Sequence, residues 1–454
     1  PLLRGIWRFW DMGSEWRISK IRELAKVKGG KRLPKGNKLS EEGTSHPYIR
    51  VVDFSDGRIS LSNLLYVPEE VFPSIKRYTV DSGNVVISIV GTIGLVATIP
   101  PELHKASLTE NAAKIMIANS NVDPYYLFWY LKSPFGQYEI QRNTVGSTQP
   151  KLPLYGIENI DVRYPLFPEQ RAISHILGSL DDKIESNRRM NKTLEEMARA
   201  IFKSWFVDFD PVRAKAEGRD TGLPDEIAAL FPNSLQDSEL GEIPNGWEVK
   251  PLTKSIDFKE GPGIRNWQYT NSDEGTRFIN IRCIKNGDLD LNNANRIHNE
   301  EAFGKYRHFQ LREDDLVVST SGTLGRSAIV RPEHLPLVLN TSVIRMRPIP
   351  PNCTLPYLVG YVDTRLQREL ERYASGSVQR NFGPMHLEQI RMLVPPRQVL
   401  EVHEEFAGEW LRMSSRLRSE SSTLASLRDT LLPKLISCEL RVPDAEKFVD
   451  EASL

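Results

Sequence analysis

The sequence predicts a mixed α/β protein with two similar β-rich/α domains, separated by two long helices that form an antiparallel coiled coil. Three observations lead to this prediction: a pseudo-two-fold internal repeat, short β-rich runs in each copy, and one long helical pattern after each copy. The repeat is far longer than the units of a solenoid, which span about 20–50 residues. We therefore expect two like domains in one chain.

The internal repeat is visible as short motifs that recur in the same order at a nearly constant offset. Gly-Thr-Ile-Gly at 91–94 is matched by Gly-Thr-Leu-Gly at 322–325, an offset of 231 residues. Gly-Ser-Thr-Gln at 146–149 is matched by Gly-Ser-Val-Gln at 376–379, an offset of 230 residues. Two like domains suit a partner that itself presents two related sites, as duplex DNA does.

Strand and helix signals recur at matching places in the two copies. Short β-rich runs such as 48–52 and 278–281 alternate with Gly, Pro and Asn, which is typical of strands joined by turns. Helical runs follow at 125–138 and 357–373.

An uncharged stretch at 82–101 is long enough to resemble a membrane span. Its counterpart at 316–326 contains serines and Arg326, which would be costly in lipid. Both copies are better explained by two strands around a Gly-Thr-x-Gly turn.

Each copy ends in a helical pattern with apolar residues alternating by three and four, which is typical of a coiled coil. The first helix is expected to begin at Pro168-Glu169 and, at 1.5 Å per residue, each would be about 60 Å long. Polar Asn187 and Asn191 interrupt the first seam, and Glu409 and Glu420 the second. The first seam comprises Ile173, Leu177, Leu180, Ile184, Asn187, Asn191, Leu194, Ala198, Ile201 and Trp205. The second comprises Val399, Val402, Phe406, Met413, Leu417, Leu424, Leu427 and Leu431.

These patterns, with the turn-rich stretch between the copies, give a linear division of the chain. The predicted segments are an N-terminal extension (1–15), a first domain (16–166), a central helix (167–207), a connector (208–246), a second domain (247–395), a C-terminal helix (396–437) and a tail (438–454).

Composition sets limits on partners and compartment. Apolar residues make up 40% and charged residues 26%, and the formal net charge is zero, so nucleic-acid contacts would have to come from local basic clusters. Cys283, Cys353 and Cys438 form no pair at metal-ligand spacing, and we expect buried free thiols. With no visible secretory signal, we expect a cytoplasmic protein.

Motifs that resemble catalytic sites have simpler explanations. Asp123-Pro124-Tyr125-Tyr126 resembles an amino-methyltransferase loop, but an N-cap Asp followed by Pro explains it better. Asp181-Asp182-Lys183 lies in the long helix and is expected to form a solvated helix face. No cofactor loop and no metal-ligand cluster is recognisable. We therefore predict a protein without catalytic residues, metal or bound cofactor.

Basic, amide and aromatic side chains on Gly-rich loops suit contacts with phosphates and base edges. A solvated loop is the alternative explanation for the basic stretch from Lys26 to Lys38. The candidate DNA-binding residues are Lys31, Arg32, Lys35, Arg50, Ser147, Gln149, Lys151, Arg265, Trp267, Gln268, Arg282, Ser377, Gln379 and Arg380.

The helix and connector resemble a known family. Pro168-Glu169-Gln170-Arg171-Ala172-Ile173, then 180–191, then Phe202-Lys203-Ser204-Trp205-Phe206-Val207-Asp208-Phe209-Asp210-Pro211 and Ser238-Glu239-Leu240-Gly241-Glu242-Ile243-Pro244 are similar to the specificity subunits of type I restriction-modification enzymes. The resemblance implies two target-recognition domains that each read one half of a bipartite target in double-stranded DNA. It also implies a coiled coil that sets the spacer and docks two modification subunits, which methylate adenine at N6.

The same resemblance implies restriction (motor-nuclease) subunits as further partners, a prokaryotic source, and S-adenosylmethionine, ATP and Mg²⁺ on the partner subunits only. Residues 1–13 precede the family pattern, and base-contacting residues cannot be carried over because the recognition domains vary. Three alternatives stay open at this point: the specificity component of a fused type II-like methyltransferase/nuclease, a methyltransferase working alone, and a coiled-coil adaptor that binds no DNA.

Overall fold

The computed structural model of the chain describes residues 16–366, 369 and 384–452. Contacts divide the chain into two compact units. The first unit consists of the residues up to Glu185 together with those from Ser422 onward, and the second consists of Ser186–Ser421. Each long helix therefore contributes residues to both units.

The first unit is built on a four-stranded antiparallel sheet with the strand order Ala25–Gly29, Ala112–Ile117, Val85–Ser88 and Val96–Thr98. The hydrophobic core lies between this sheet, the helix Pro124–Lys132 and the long helices. The remaining strands are Arg17–Lys20, Pro47–Ile49, Phe54–Ser55, Arg58–Ile59, Leu65–Tyr66, Ser107–Leu108 and Asp161–Tyr164. The shorter helices are Ile21–Leu24, Phe72–Ile75, Pro134–Arg142, Leu154–Glu158 and Val442–Ala452, with 3₁₀ turns at Val51–Asp53, Lys76–Tyr78 and Pro101–Leu103.

The second unit repeats this sheet, with the order Ile256–Glu260, Val343–Pro348, Leu316–Ser319 and Ser327–Ile329. The same strand order, with each of the four strands offset by 231 residues, confirms the internal repeat. The remaining strands are Leu235–Gln236, Ile243–Pro244, Glu248–Pro251, Tyr269–Thr270, Thr276–Phe278, Ile284–Lys285, Asp288–Leu289, Arg296–Ile297, Leu337–Val338 and Arg391–Val394. The shorter helices are Asp210–Ala216, Asp225–Ala228, Asn299–Phe303, Leu355–Tyr361 and Pro384–Leu387, with 3₁₀ turns at Leu252–Lys254, Asn266–Gln268, Ile281–Cys283, Arg307–Phe309 and Pro332–His334.

The predicted strand pair around the Gly-Thr-x-Gly turn is confirmed in both copies. In the first, the Ser88 hydroxyl donates to the Thr92 carbonyl at 2.6 Å and accepts from the Leu95 amide at 2.9 Å. In the second, Ser319 makes the same two bonds to the Thr323 carbonyl and the Arg326 amide, at 2.6 and 2.9 Å. A serine at the end of the strand therefore fixes the turn in each domain.

The helix after the sheet begins as the sequence predicts. Asp123 is the N-cap of Pro124–Lys132, and its carboxylate accepts from the Tyr126 amide at 2.9 Å, so this acid is structural. The counterpart helix in the second unit begins at Leu355 and continues as a π-helix over Val362–Leu366. The rest of the predicted helical run 357–373 lies almost entirely outside the described residues.

The two long helices span Phe167–Lys203 and Arg397–Ser437, and the first continues as a π-helix over Ser204–Asp208. In the first unit, Leu180 and Ile184 share a core with Leu424 and Leu431. In the second unit, the Asn187 side chain donates to Glu420 at 2.9 Å, whereas Phe202 meets His403 with ring centroids 6.3 Å apart. Residues further along the first helix contact residues earlier in the second helix, so the two helices run antiparallel.

The core of the second unit contains an aromatic cluster at the end of the first long helix. Trp205 packs edge-on against Phe231, with centroids 5.1 Å apart, and Phe206 packs against Tyr357 at 4.8 Å. Burial among these rings lowers the pKa of His403 to about 3, which keeps the imidazole neutral. A Cβ on Gly360 would come within 2.2 Å of the Phe202 ring, so this position requires glycine.

Candidate nucleic-acid interface

In the first unit, backbone hydrogen bonds bring the candidate loops to one end of the sheet. The Lys31 amide donates to the Leu108 carbonyl at 2.8 Å, and the Thr109 amide donates to the Ile49 carbonyl at 3.0 Å. The basic loop, the 107–111 segment and the turn after Ile49 are therefore successive neighbours. A Cβ on Gly30 would lie 2.0 Å from the Thr109 carbonyl oxygen, so only glycine permits this approach.

The Gly-Ser-x-Gln loop of the first unit lies beside the Gly-Thr-x-Gly turn. Val145 and Lys151 exchange backbone hydrogen bonds at 2.9 Å in both directions, which closes the loop 146–150. Lys151 also forms a backbone bridge with Val90, the residue before Gly91. Ser147, Gln149 and Lys151 are all exposed, so their side chains are available to a ligand.

The basic loop is solvent-exposed and partly paired. The side chains of Lys31, Arg32 and Lys35 are exposed, and Arg32 binds Glu110 at 2.5 Å. Partial burial would raise the pKa of Glu110, but its own backbone amide and Arg32 lower it below the usual value. Because Arg32 keeps 79% of its side chain exposed, this surface pair contributes little to stability and leaves the guanidinium within reach of a phosphate.

Arg50 has a structural role that the sequence did not reveal. Its guanidinium binds the Asp53 carboxylate at 2.7 Å and the Asn63 carbonyl at 3.0 Å. The carboxylate of Asp53 also accepts from the Arg50 backbone amide at 2.7 Å, which closes the 3₁₀ turn. The structure therefore places Arg50 as the support of this turn, with its donors directed inward.

The second unit presents some of its candidates and buries another. Arg265 and Arg282 are exposed, and Trp267 has 80% of its surface exposed. Gln268 was expected to contact DNA, but that assignment is wrong, because it is only 5% exposed and its amide donates to Tyr306 Oη at 2.8 Å. The predicted candidates Ser377, Gln379 and Arg380 lie outside the described residues, as does the predicted N-terminal extension 1–15.

On the first long helix, the predicted seam residues are all buried or half-buried. Asn187 is 3% exposed and Asn191 is 7% exposed, so both polar residues lie in the buried seam of the first long helix. The remaining buried seam residues are Ile173, Leu177, Leu180, Ile184, Leu194 and Trp205, with Ala198 and Ile201 half-buried.

On the second long helix, the predicted seam is wrong at two positions. Phe406 and Met413 are 41% and 39% exposed, whereas His403 and Ala407 are buried. The buried positions His403, Ala407 and Arg428 each lie one residue after a predicted seam position. Because these three residues are polar or small, a search for large apolar residues selects the neighbouring row of the helix instead. The predicted positions Val399, Leu424 and Leu431 are buried, and Val402, Leu417 and Leu427 are half-buried.

A buried ion-pair network beside the seam was missed in the sequence. Asp181 was expected on a solvated face, but it is 8% exposed and binds Arg428 at 2.6 Å and Arg58 at 2.9 Å. Burial alone would lower the pKa of Arg428, but the carboxylates of Asp56, Asp429 and Asp181 raise it above the usual value. The available signal was Arg428 itself, which stands between Leu424 and Leu431 at seam spacing.

Metal clusters and membrane-spanning helices are both absent from the described part of the chain. Within residues 16–366, 369 and 384–452, no group of three or more His, Cys, Asp or Glu side chains could hold a metal ion. Among those residues no helix is long and apolar enough to cross a membrane. Cys283 and Cys353 are buried free thiols, and Cys438 is partly exposed. The cytoplasmic location and the absence of a bound cofactor stay predictions.

The sequence matches the family described as "Type I restriction modification DNA specificity domain" over residues 13–196 and 244–402. It is 23% identical over 449 residues to the type I restriction enzyme MjaIX specificity subunit of Methanocaldococcus jannaschii, covering 95% of this chain and 94% of that protein. It is 24% identical over 377 residues to the HindI specificity subunit of Haemophilus influenzae, covering 72% and 81%.

Among solved structures, the S subunit of a type I restriction-modification system from M. genitalium matches with a TM-score of 0.57 at 16% identity. The match covers 94% of this chain and 97% of that chain, and it shows a common fold. The duplicated sheet, together with the family match over both halves of the chain, defines a two-domain DNA-specificity protein. The chain belongs to the type I restriction-modification specificity family, which confirms the predicted family and a specificity subunit rather than a catalytic one.

Proposed function

We propose that each domain of this specificity subunit reads one half of a bipartite target in double-stranded DNA. The observation that supports this most directly is the duplication itself, because the same sheet and the same serine-fixed turn occur in both units. In the first unit, the exposed side chains of Ser147, Gln149 and Lys151 belong to the loop beside that turn. Lys and Arg suit phosphates, and Gln and Arg suit base edges in the major groove.

Replacing Lys31 and Lys35 by Ala should weaken DNA binding across all sequences and reduce its salt dependence. Each lost phosphate contact removes about 0.9 from the slope of log affinity against log salt. Affinities measured over a salt series for the full chain with its modification subunits would show this. Lys254→Ala, in the 3₁₀ turn of the second unit, is the matched control. An unchanged slope in the double variant would place the basic loop away from DNA.

We further propose that the long helices dock the modification subunits through an exposed apolar stripe in the second unit. Met190 and Met197 on the first helix are 44% and 41% exposed, and Phe406 and Met413 on the second are 41% and 39% exposed. Within each pair the two residues are seven apart, so each pair lies on one face of its helix.

The two pairs belong to the same side of the helix pair. Glu420, which binds Asn187 across the seam, lies seven residues after Met413 and so shares its face. Met190 flanks the seam three residues after Asn187, on the same side. The opposite side is marked by the Arg418–Glu195 pair at 2.5 Å, and there Arg418 also binds Asp288 of the second domain at 3.3 Å. The apolar stripe therefore faces away from that domain.

Exposed apolar side chains along one side of a helix pair are typical of a protein–protein interface, and methionines suit a helical partner. We therefore expect the double variant Met197→Asp/Met413→Asp to lose at least tenfold in affinity for the modification subunit. Lys192→Asp is the control, because Lys192 is 74% exposed and lies five residues before Met197, on a different face of the same helix. Co-purification and sedimentation of the complex would report both. Normal assembly of the double variant would contradict docking at this stripe.

The enzymatic alternative is tested by the same proteins. We expect the purified chain to transfer no methyl groups to DNA, and the assembly with modification subunits to methylate adenines. Incorporation of labelled methyl groups by the chain alone would contradict the proposal.

A further inference from the structure

One position in each domain presents an exposed side chain on a rigid turn, next to the candidate DNA surface. In the first unit this is Val52, in the 3₁₀ turn Val51–Asp53, with 78% of its surface exposed. In the second unit it is the exposed Arg282, in the 3₁₀ turn Ile281–Cys283. An aliphatic side chain held this far into solvent gains nothing for folding.

Backbone hydrogen bonds show that the two positions are equivalent. The Asp53 amide donates to the Arg50 carbonyl at 3.0 Å, and the Cys283 amide donates to the Asn280 carbonyl at 3.0 Å. On the other side of the turn in the first unit, the Ser60 amide donates to the Asp53 carbonyl at 2.7 Å. In the second unit the Asp290 amide donates to the Cys283 carbonyl at 2.8 Å in the same way.

Each turn leads into a hairpin whose far end is fixed to the long helices of its own unit. In the first, Arg58 binds Asp181 at 2.9 Å. In the second, Asp288 binds Arg418 at 3.3 Å. Because the turn is held at both ends, the residue at its centre has a defined position, as a base-reading side chain requires.

The turn also adjoins the other candidate loops. A Cβ on Gly322 would lie 3.3 Å from the Ile281 side chain, so the turn in the second unit touches the Gly-Thr-x-Gly loop. In the first unit, the strand Pro47–Ile49 before the turn pairs with the strand Ser107–Leu108. The carbonyl of Leu108 in turn accepts a hydrogen bond from the Lys31 amide. With strands about 4.8 Å apart, the basic loop starts roughly 10 Å from the turn. Phosphate contacts by the loop would bring the turn to the groove.

We propose that this position reads one base pair in each half-site, a step that rests on the proposed function. Val52 contacts the 5-methyl group of a thymine, and Arg282 donates to O6 and N7 of a guanine. The side chain at this position therefore sets one base of each half, and the difference between Val and Arg makes the two halves different.

The test uses the full chain assembled with its native modification subunits and sequencing of the methylated DNA. For Val52→Arg we expect one specified thymine in a single half-site to be replaced by guanine or left unspecified. For Arg282→Val we expect the loss of one specified guanine in the other half-site. Each variant should keep the spacer and the opposite half. Ile18→Arg, at another exposed aliphatic residue of the first unit (61% exposed), should leave the motif unchanged.

A binding measurement tests the methyl contact itself. Replacing the identified thymine by deoxyuridine should weaken binding of the parental assembly about fourfold, the value for one buried methyl group. Val52→Ala should bind both DNAs equally. An unchanged motif in both variants, or no thymine–deoxyuridine difference in the parent, would overturn the inference while the bipartite motif persists. If the parental assembly yields no bipartite motif, the proposed function fails with it.

Discussion

Replacing Ile184 by Asp should lower the free energy of unfolding by about 3–5 kcal/mol, because it places an unpaired charge inside the helix pair. Ile184 is 2% exposed and shares the core of the first unit with Leu180 and Leu424. Urea unfolding of the full chain would measure the loss. Ile184→Val, which removes one methylene group, should cost about 1 kcal/mol and serves as the control. Equal stability of the Asp variant would show that this seam does not hold the helices together.

Inserting one heptad into each long helix should lengthen the spacer of the DNA target and leave both half-sites intact. Seven residues keep the seam in register and add about 10 Å, close to three base-pair steps of 3.4 Å each. The insertions belong after Glu185 and before Ser422, at the boundary between the two compact units, so that the Arg58–Asp181 and Arg418–Asp288 contacts are each kept within one unit. Sequencing of methylated DNA would read the result.

An insertion in the first helix alone is the control, since it leaves seven residues without partners and should impair assembly. A changed half-site in the doubly extended protein would contradict the idea that helix length sets the spacer. An unchanged spacer with full methylation would contradict it equally.

Much of the architecture could be predicted from the sequence because it depends on spacing. The repeat, the strand pairs around the Gly-Thr-x-Gly turns and the Asp123 cap all follow from local patterns, and the structure confirms them. On the first helix the predicted apolar residues Ile173, Leu177, Leu180, Ile184 and Leu194 are buried, so their spacing indicates the buried face, although polar residues such as Asp181 and Asn187 share it. On the second helix, buried His403 and Arg428 share the seam with small residues, and apolar Phe406 lies outside it.

The candidate site was less predictable because it depends on partners distant in sequence. Gln268 looks like a base-reading amide until Tyr306 and Glu301 accept its hydrogen bonds. Asp181 looks solvated until Arg58, 123 residues earlier, folds onto it. In both cases a polar side chain is buried only because a partner from another element compensates its lost hydration. Local sequence does not contain that partner.

The contact between Arg58 and Asp181 bears on how such proteins can be recombined. Arg58 belongs to the first domain, and Asp181 belongs to the helix that follows it. A donor domain that lacks a cation at this place would leave Asp181 and Asp182 short of one positive charge on the recipient helix. Chimeras that exchange residues 16–166 should therefore be most stable when the incoming hairpin supplies an arginine. Compatibility between an exchanged domain and the helix that receives it would then depend on a charged residue at their junction.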